Sequence, residues 1–353
     1  MAAAVAPRVE PRTTVGGSHL KITINTSQTP DKSLCAVQEI PGKGLGLVAR
    51  QAIAAGTIIL KESPLITTAS ITSLSPTRTE FELSAALAAL PPEKREAYHS
   101  LHNNHAETDP AHPLAGIVRS NLYPLGVNAS IGGIFQTISR INHSCRPNAV
   151  QYWNTIHSCE TIYCVSPIQV GQEITVSYHF GGPSTTRQRV LQENFGFQCR
   201  CELCLLPAPQ LAISDKRLQR AQELDYLIGD PERCTNEPSI VMAACAELFE
   251  IFELEQIRDG RLSRLFYDAF QLCNMHGDLA RAKTFAEYFC EAKTIAEGPD
   301  STSVIEMSAV SQNPQSHLSF GVSVKWRSRL TDQPKGLSQH EFQRWLWTRH
   351  LHL

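Results

Sequence analysis

The sequence has no long apolar run. None of its 353 residues lies in a stretch near the ~18 consecutive apolar residues that a membrane span requires. The opening MAAAVAPRVEPRTT is broken by Pro7, Arg8, Pro11 and Arg12, short of the about 7–15 uninterrupted apolar residues of a secretory signal. Charge of one sign is also missing: 32 Lys and Arg stand against 34 Asp and Glu, a net −2. With no basic run of five or more, neither a nucleic-acid surface nor a nuclear signal is expected. The expectation is a soluble intracellular protein with no membrane partner and no direct nucleic-acid partner, in the cytoplasm or the nucleus. An apolar fraction of 42% suits an ordinary globular chain.

Cysteine is absent from residues 63 to 140, although the chain holds eleven. That excludes a thiolate metal module from this segment. Elsewhere the odd count and the crowding at Cys199, Cys201 and Cys204 favour metal over disulfide in a reducing compartment. Isolated Cys245, Cys273 and Cys290 sit in apolar helical patterns and read as small core residues.

Residues 1–30, rich in Ala, Pro, Thr, Ser and Gly, read as a mobile arm. From Cys35 the texture is β: LCAVQEI, GLGLVAR, TIILKES, AVQYWNT, ETIYCVS and EITVSYHF are short, rich in β-branched and aromatic residues, and in part separated by turn signals. A helical insertion over about 75–115 interrupts them, its first helix closed and its second opened by Pro91-Pro92. After Cys204 the spacing predicts helices over Asp215–Leu227, Pro238–Leu254, Leu262–His276 and Asp278–Glu297. The final stretch, Ser338–Leu351, opens on a Ser338/Glu341 capping box and should dock on the protein's own body.

Three motifs carry chemistry. Cys199-x-Cys201-x-x-Cys204 offers three thiolates where tetrahedral zinc needs four ligands. Cys145 is the first candidate for the fourth and His143 the second. Four thiolates would leave no open position, so such a site is structural. In PGKGLGLVA, Gly42, Gly44 and Gly46 precede a strand rather than a helix, so a dinucleotide fingerprint does not fit. Close approach of backbone to a ligand competes there with a plain glycine-rich hairpin, which the motif alone favours. In GQEITVSYHF, Ile174, Val176, Tyr178 and Phe180 fall on one face, where a buried aromatic is the default for Tyr178.

Taken in order, Gly44-x-Gly46, Arg140-Ile-Asn142-His143-Ser144-Cys145-x-Pro147-Asn148, Gly171-x-Glu173-Ile174-x-x-x-Tyr178 and Phe197-x-Cys199-x-Cys201-x-x-Cys204 resemble a SET-domain protein methyltransferase. RSNLYPLG and GGIFQTISRINHSC resemble the SMYD-type subgroup, whose split SET domain precedes a helical domain. The cysteine-free segment 63–140 leaves no room for that subgroup's MYND finger. The resemblance implies an α+β fold: a SET-type β domain of small sheets over 31–181, a zinc-binding post-SET segment over 182–210 and an all-helical domain over 211–353. It further implies methyl transfer from S-adenosylmethionine to a protein lysine, with one structural zinc ion on Cys145, Cys199, Cys201 and Cys204. By the same resemblance Gly44, Leu45, Gly46, Asn121, Asn142, His143, Tyr178 and Phe197 contact the cofactor. Tyr178 is then the catalytic residue, and Phe180 and Phe195 line the substrate channel. A lysine-bearing protein or peptide is the expected partner, and the helical domain could take further protein partners. Two other readings stay open: a SET-fold interaction protein with a vestigial cofactor site, and a methyltransferase for a small molecule.

Overall fold

The computed structural model describes residues 34–67, 75–126, 129, 131–179 and 181–348. The expected N-terminal arm and Phe180 lie outside the described residues. The β part is three small sheets. β1 (Cys35–Ile40) and β2 (Gly44–Ala49) form an antiparallel hairpin. Its turn is closed by Lys43 N–H on the Ile40 carbonyl, and Gly42 and Gly44 supply φ values of +75° and +73°. β3 (Ile58–Glu62), β4 (Ile66–Thr67), β5 (Tyr123–Pro124) and β6 (Gly132–Ile134) follow, then β7 (Asn142–His143), β8 (Ala149–Asn154), β9 (Cys159–Cys164) and β10 (Glu173–Val176). The sheets run β1-β2-β10-β7, β3-β9-β8 and β4-β6-β5. Their shared core holds Leu47, Ile59, Phe135, Ile138, Ile141, Ile162 and Ile174.

One expectation is corrected here. The strand ends at Val176, so Tyr178 lies beyond it and not on an alternating face. The Tyr178 N–H leaves the ladder because a side chain, His143 Nδ1, takes it at 3.0 Å.

Between β4 and β5 lie α1 (Pro76–Ala88), α2 (Pro92–His99) and α3 (Pro113–Asn121). Ser75 caps α1, and Glu80 of α1 accepts the N–H groups of Leu114 and Ala115, both at 2.9 Å, at the start of α3. Sequence spacing did not show α3, whose two and a half turns carry too short a pattern. This insertion has its own core around Leu83, Leu87, Tyr98, Leu101 and Ile117.

α4 (Ser184–Phe195) precedes the three crowded cysteines and ends at Gly196 with φ +73°. Then come α5 (Ala208–Ile228), α6 (Pro231–Asn236), α7 (Pro238–Leu254), α8 (Gly260–Met275), α9 (Leu279–Glu297), α10 (Thr302–Gln312) and α11 (Gln339–Trp347). α5 starts about two turns before the expected Asp215. The capping box of α11 is present, and Trp347 packs on Phe249 and Phe285 at ring distances of 5.0 and 4.8 Å. That helix therefore docks on its own protein, as expected. Residues 349–353 lie outside the described residues.

Cys145, Leu191, Cys199 and Leu203 belong to the same apolar cluster as Leu218 and the cores of α7 to α9. The cysteine segment, with Cys145 from the loop after β7, thus packs into the helical core. A second tie links the β8–β9 hairpin to the α9–α10 loop. His157 and Asn154 both reach the Asp300 carboxylate, at 2.8 and 3.2 Å, and Gly298 (φ +88°) leaves no space for a Cβ against the Tyr163 hydroxyl.

Candidate active site and adjoining cysteine cluster

The chain from Gln136 to Asn148 builds the centre. The Glu62 carboxylate accepts the N–H groups of Gln136, Thr137 and Ile138, which anchors a short 3-10 turn over Ile138–Arg140. Asn142 and His143 then pair parallel with Thr175 and Val176, and Ser144 N–H extends this to the Val176 carbonyl. Past Pro147, Asn148 grips the same strand with both ends of its amide, on Thr175 N–H (2.9 Å) and the Glu173 carbonyl (2.8 Å). Asparagine and proline serve here because each replaces or withholds a ladder hydrogen bond.

On one side the loop meets the glycines. Asn142 Nδ2 donates to the Leu45 carbonyl (3.2 Å) and to Glu173 Oε1 (2.9 Å), while Lys43 Nζ pairs with Glu173 Oε2 at 2.6 Å. A Cβ on Gly46 would stand 2.6 Å from Asn142 Nδ2, so the carboxamide occupies room that only glycine leaves. Leu45 itself is exposed. Sequence reasoning did not single out Lys43 or give Glu173 a role, though both sit inside quoted motifs.

On the other side the loop meets aromatic rings. Tyr178 lies 4.8 Å from Phe195 and 5.2 Å from His143, and Phe197 is 6.2 Å from His143, ring to ring. The Tyr178 hydroxyl donates to the Ile141 carbonyl at 2.6 Å. Burial, and then the Glu173 charge, hold this phenol well above its ordinary pKa, so it stays protonated. It can orient a neighbour but not act as a base. Asn121 stands apart in its bonding. At the end of α3, both its amide N–H groups are committed, to the His102 and Ile117 carbonyls.

Beyond the aromatics, the sulfurs of Cys145, Cys199, Cys201 and Cys204 all lie within 4.8 Å of one another. Cys145 Sγ is 3.8 Å from Cys199 Sγ and 3.6 Å from Cys204 Sγ. A tetrahedral ion with bonds of about 2.3 Å sets sulfurs about 3.8 Å apart, so four thiolates at these positions fit one such ion. Of the two candidates for a fourth ligand, Cys145 is the one whose sulfur joins the other three in this cluster. The His143 ring faces Cys145 Sγ through Nε2 at 3.3 Å, as does His179. Burial, then its neighbour His179, push the His143 imidazole down to about 3, which keeps it neutral. Arg187, fully buried, points Nη2 at Cys204 Sγ (3.7 Å). His179 and Arg187 were missed in the sequence. An arginine in a short helix reads as solvent-facing, and nothing local marks it as buried.

The family model for the SET domain matches residues 44–179. Over 290 residues the chain is 35% identical to histone-lysine N-methyltransferase set5 of Schizosaccharomyces pombe, covering 81% of this chain and 86% of that protein. The chain belongs to the SET-domain family. It is also 28% identical over 176 residues to histone-lysine N-methyltransferase Smyd1 of Mus musculus, covering 45% of this chain and 33% of that one. A 37% identity over 89 residues links it to histone-lysine N-methyltransferase ASHR1 of Arabidopsis thaliana, 25% of this chain and 17% of that protein. The SET domain so matched opens on Gly44 at the head of β2 and closes on His179, beside Tyr178. Three of the four clustered cysteines follow it in sequence. Only Cys145 lies inside it. No helix among the described residues is long and apolar enough to cross a membrane.

Proposed function

We propose that this SET-domain chain is an S-adenosylmethionine-dependent methyltransferase acting on a lysine of a protein inside the cell, with one structural zinc ion on Cys145, Cys199, Cys201 and Cys204. The observation that carries the reading is the two-sided loop. Asn142 lies across the Gly46 gap, and three residues on, Cys145 joins the cysteine cluster. Histone lysines are the substrates named for set5 and Smyd1, and a histone is the first substrate to try here.

S-adenosylmethionine, when bound, supplies an electrophilic methyl group on its sulfonium. The protein's task is alignment and the delivery of an uncharged amine. Backbone at Gly44–Gly46, the Asn142 carboxamide, the main chain of His143 and the Phe197 ring would hold the cofactor. The backbone at Gly46, against which Asn142 packs, and the polar trio Lys43–Glu173–Asn142 suit its amino-acid end. Asn121 could join only through its carbonyl oxygen. A lysine amine with an ordinary pKa near 10.4 is almost wholly charged at neutral pH. The apolar walls of Tyr178 and Phe195 disfavour that charge by desolvation and so promote the neutral nucleophile. The Tyr178 hydroxyl, kept protonated and tied to the Ile141 carbonyl, fixes the direction of approach. Isothermal titration of S-adenosylmethionine into zinc-loaded protein should show one binding site. Labelled cofactor should then mark a lysine in histones or a cell extract. Absence of binding would overturn the reading in favour of a SET-fold interaction protein.

A further inference from the structure

Both nitrogens of the His143 imidazole are committed. The main-chain N–H of Tyr178 can only donate, so Nδ1 (3.0 Å away) must be the acceptor and the ring proton must sit on Nε2. Nε2 in turn points at Cys145 Sγ, 3.3 Å away. The ring is buried and wedged among Tyr178, His179 and Phe197. His179 repeats the pattern: its Nδ1 accepts the Gly181 N–H at 2.8 Å, and its Nε2 lies 3.3 Å from the same sulfur. Two N–H donors converging on one sulfur suit a metal-bound thiolate far better than a neutral thiol, a weak acceptor.

We infer that His143 is a positioning residue, a side-chain bridge through which the metal-bound sulfur of Cys145 sets the backbone of Tyr178. The side chain then has no nitrogen left for the cofactor, and His143 can meet it only through its main chain. The inference rests on the zinc reading above and goes beyond it. It gives the cysteine cluster a route to the methyl-transfer site that does not pass through Phe197 and the post-SET segment.

The two halves of the bridge can be cut separately. His143→Asn keeps an oxygen near the Nδ1 position for the Tyr178 N–H but loses the reach to sulfur. His143→Gln carries an amide donor toward the sulfur but offers nothing at Nδ1. Zinc affinity is read by competition with a colorimetric chelator. Cobalt-substituted protein reports the sulfur-to-metal charge-transfer band, and kcat and KM are measured with zinc in excess. His143→Asn should lower zinc affinity about 10–100-fold and shift the cobalt band. His143→Gln should keep the wild-type zinc affinity and cobalt band but lower kcat rather than the cofactor KM. Equal losses in both variants, or a wild-type cobalt spectrum in His143→Asn, would mean the ring only fills space and would overturn the bridge. A wild-type protein that takes up no zinc would overturn the metal reading and the bridge together.

Discussion

Gly46→Ala tests the cofactor face at one methyl group. The new Cβ would lie 2.6 Å from Asn142 Nδ2, 2.6 Å from Ile40 Cγ1 and 3.1 Å from Glu173 Oε1. Gly46 needs no left-handed backbone, so strain does not enter and the effect is steric. Ile40 is anchored in β1, which leaves the Asn142 side chain to move. Its departure breaks a hydrogen bond to a charged carboxylate, worth about 1.5–3 kcal/mol, and one to a carbonyl, worth about 1 kcal/mol. Part of this returns through water, so a net loss of about 1–3 kcal/mol of stability is expected, the usual range for overpacking. The carboxamide would be displaced from the cofactor face, and S-adenosylmethionine affinity should fall by at least about tenfold, or 1.4 kcal/mol. Gly42→Ala is the matched control. Its φ of +75° makes alanine strained by about 1–2 kcal/mol, but nothing lies within 4 Å of its Cβ. Denaturant melts should show both variants destabilised, and calorimetry should show that only Gly46→Ala loses the cofactor by displacing Asn142. Wild-type cofactor affinity in folded Gly46→Ala would refute the role given to Asn142.

Cys201→Ser, or strong chelation, should remove the metal and abolish cofactor binding while the sheets stay folded, because the cysteine cluster borders the helical core and not the strands' own core. Cofactor titration beside circular dichroism checks this, and full affinity in metal-free protein would count against it. Phe195→Tyr places a hydroxyl beside Tyr178, against which the ring already packs at 4.8 Å. Mass spectrometry should show a changed number of methyl groups added, and identical products would remove Phe195 from the channel. In β9, burial raises the Glu160 carboxyl to about 8, with Oε2 unpartnered among the described residues. Between 4.5 and about 8 the folded state holds the proton that the unfolded chain releases. Glu160 therefore costs stability as pH rises, by roughly 1.4 kcal/mol per unit. Glu160→Gln should be neutral near pH 4 and stabilising by a few kcal/mol near pH 8 in urea titrations. A pH-independent difference would refute the assignment.

The local part of this design could be read along the chain. Strands β1, β2, β3, β8 and β9 and helices α7 and α9 fell within a few residues of their expected places, because apolar period, proline, glycine and caps act over neighbouring residues. The cysteine cluster was legible for the same reason. Three thiols within six residues need a fourth ligand, and Cys145 sits in a segment unfit for regular structure. The helices α3 and α4 escaped, being short and held by contacts such as Glu80 on the α3 N-terminus.

What the tertiary structure alone decided is which way each polar side chain turns. Asn142 reaches a carbonyl 97 residues away, because β7 lies beside β10, and β10 beside β2. His143, expected to face the cofactor, turns its ring to the sulfur, since the Tyr178 N–H holds the other nitrogen. Asn121 spends its amide on the insertion's own carbonyls. Arg187 is buried against thiols that follow it in the chain. Residue types and their spacing determined the expectation that a cofactor loop and a metal site share this stretch. The directions of the hydrogen bonds depend on strands and helices far apart in sequence, and they became definite only when those elements packed.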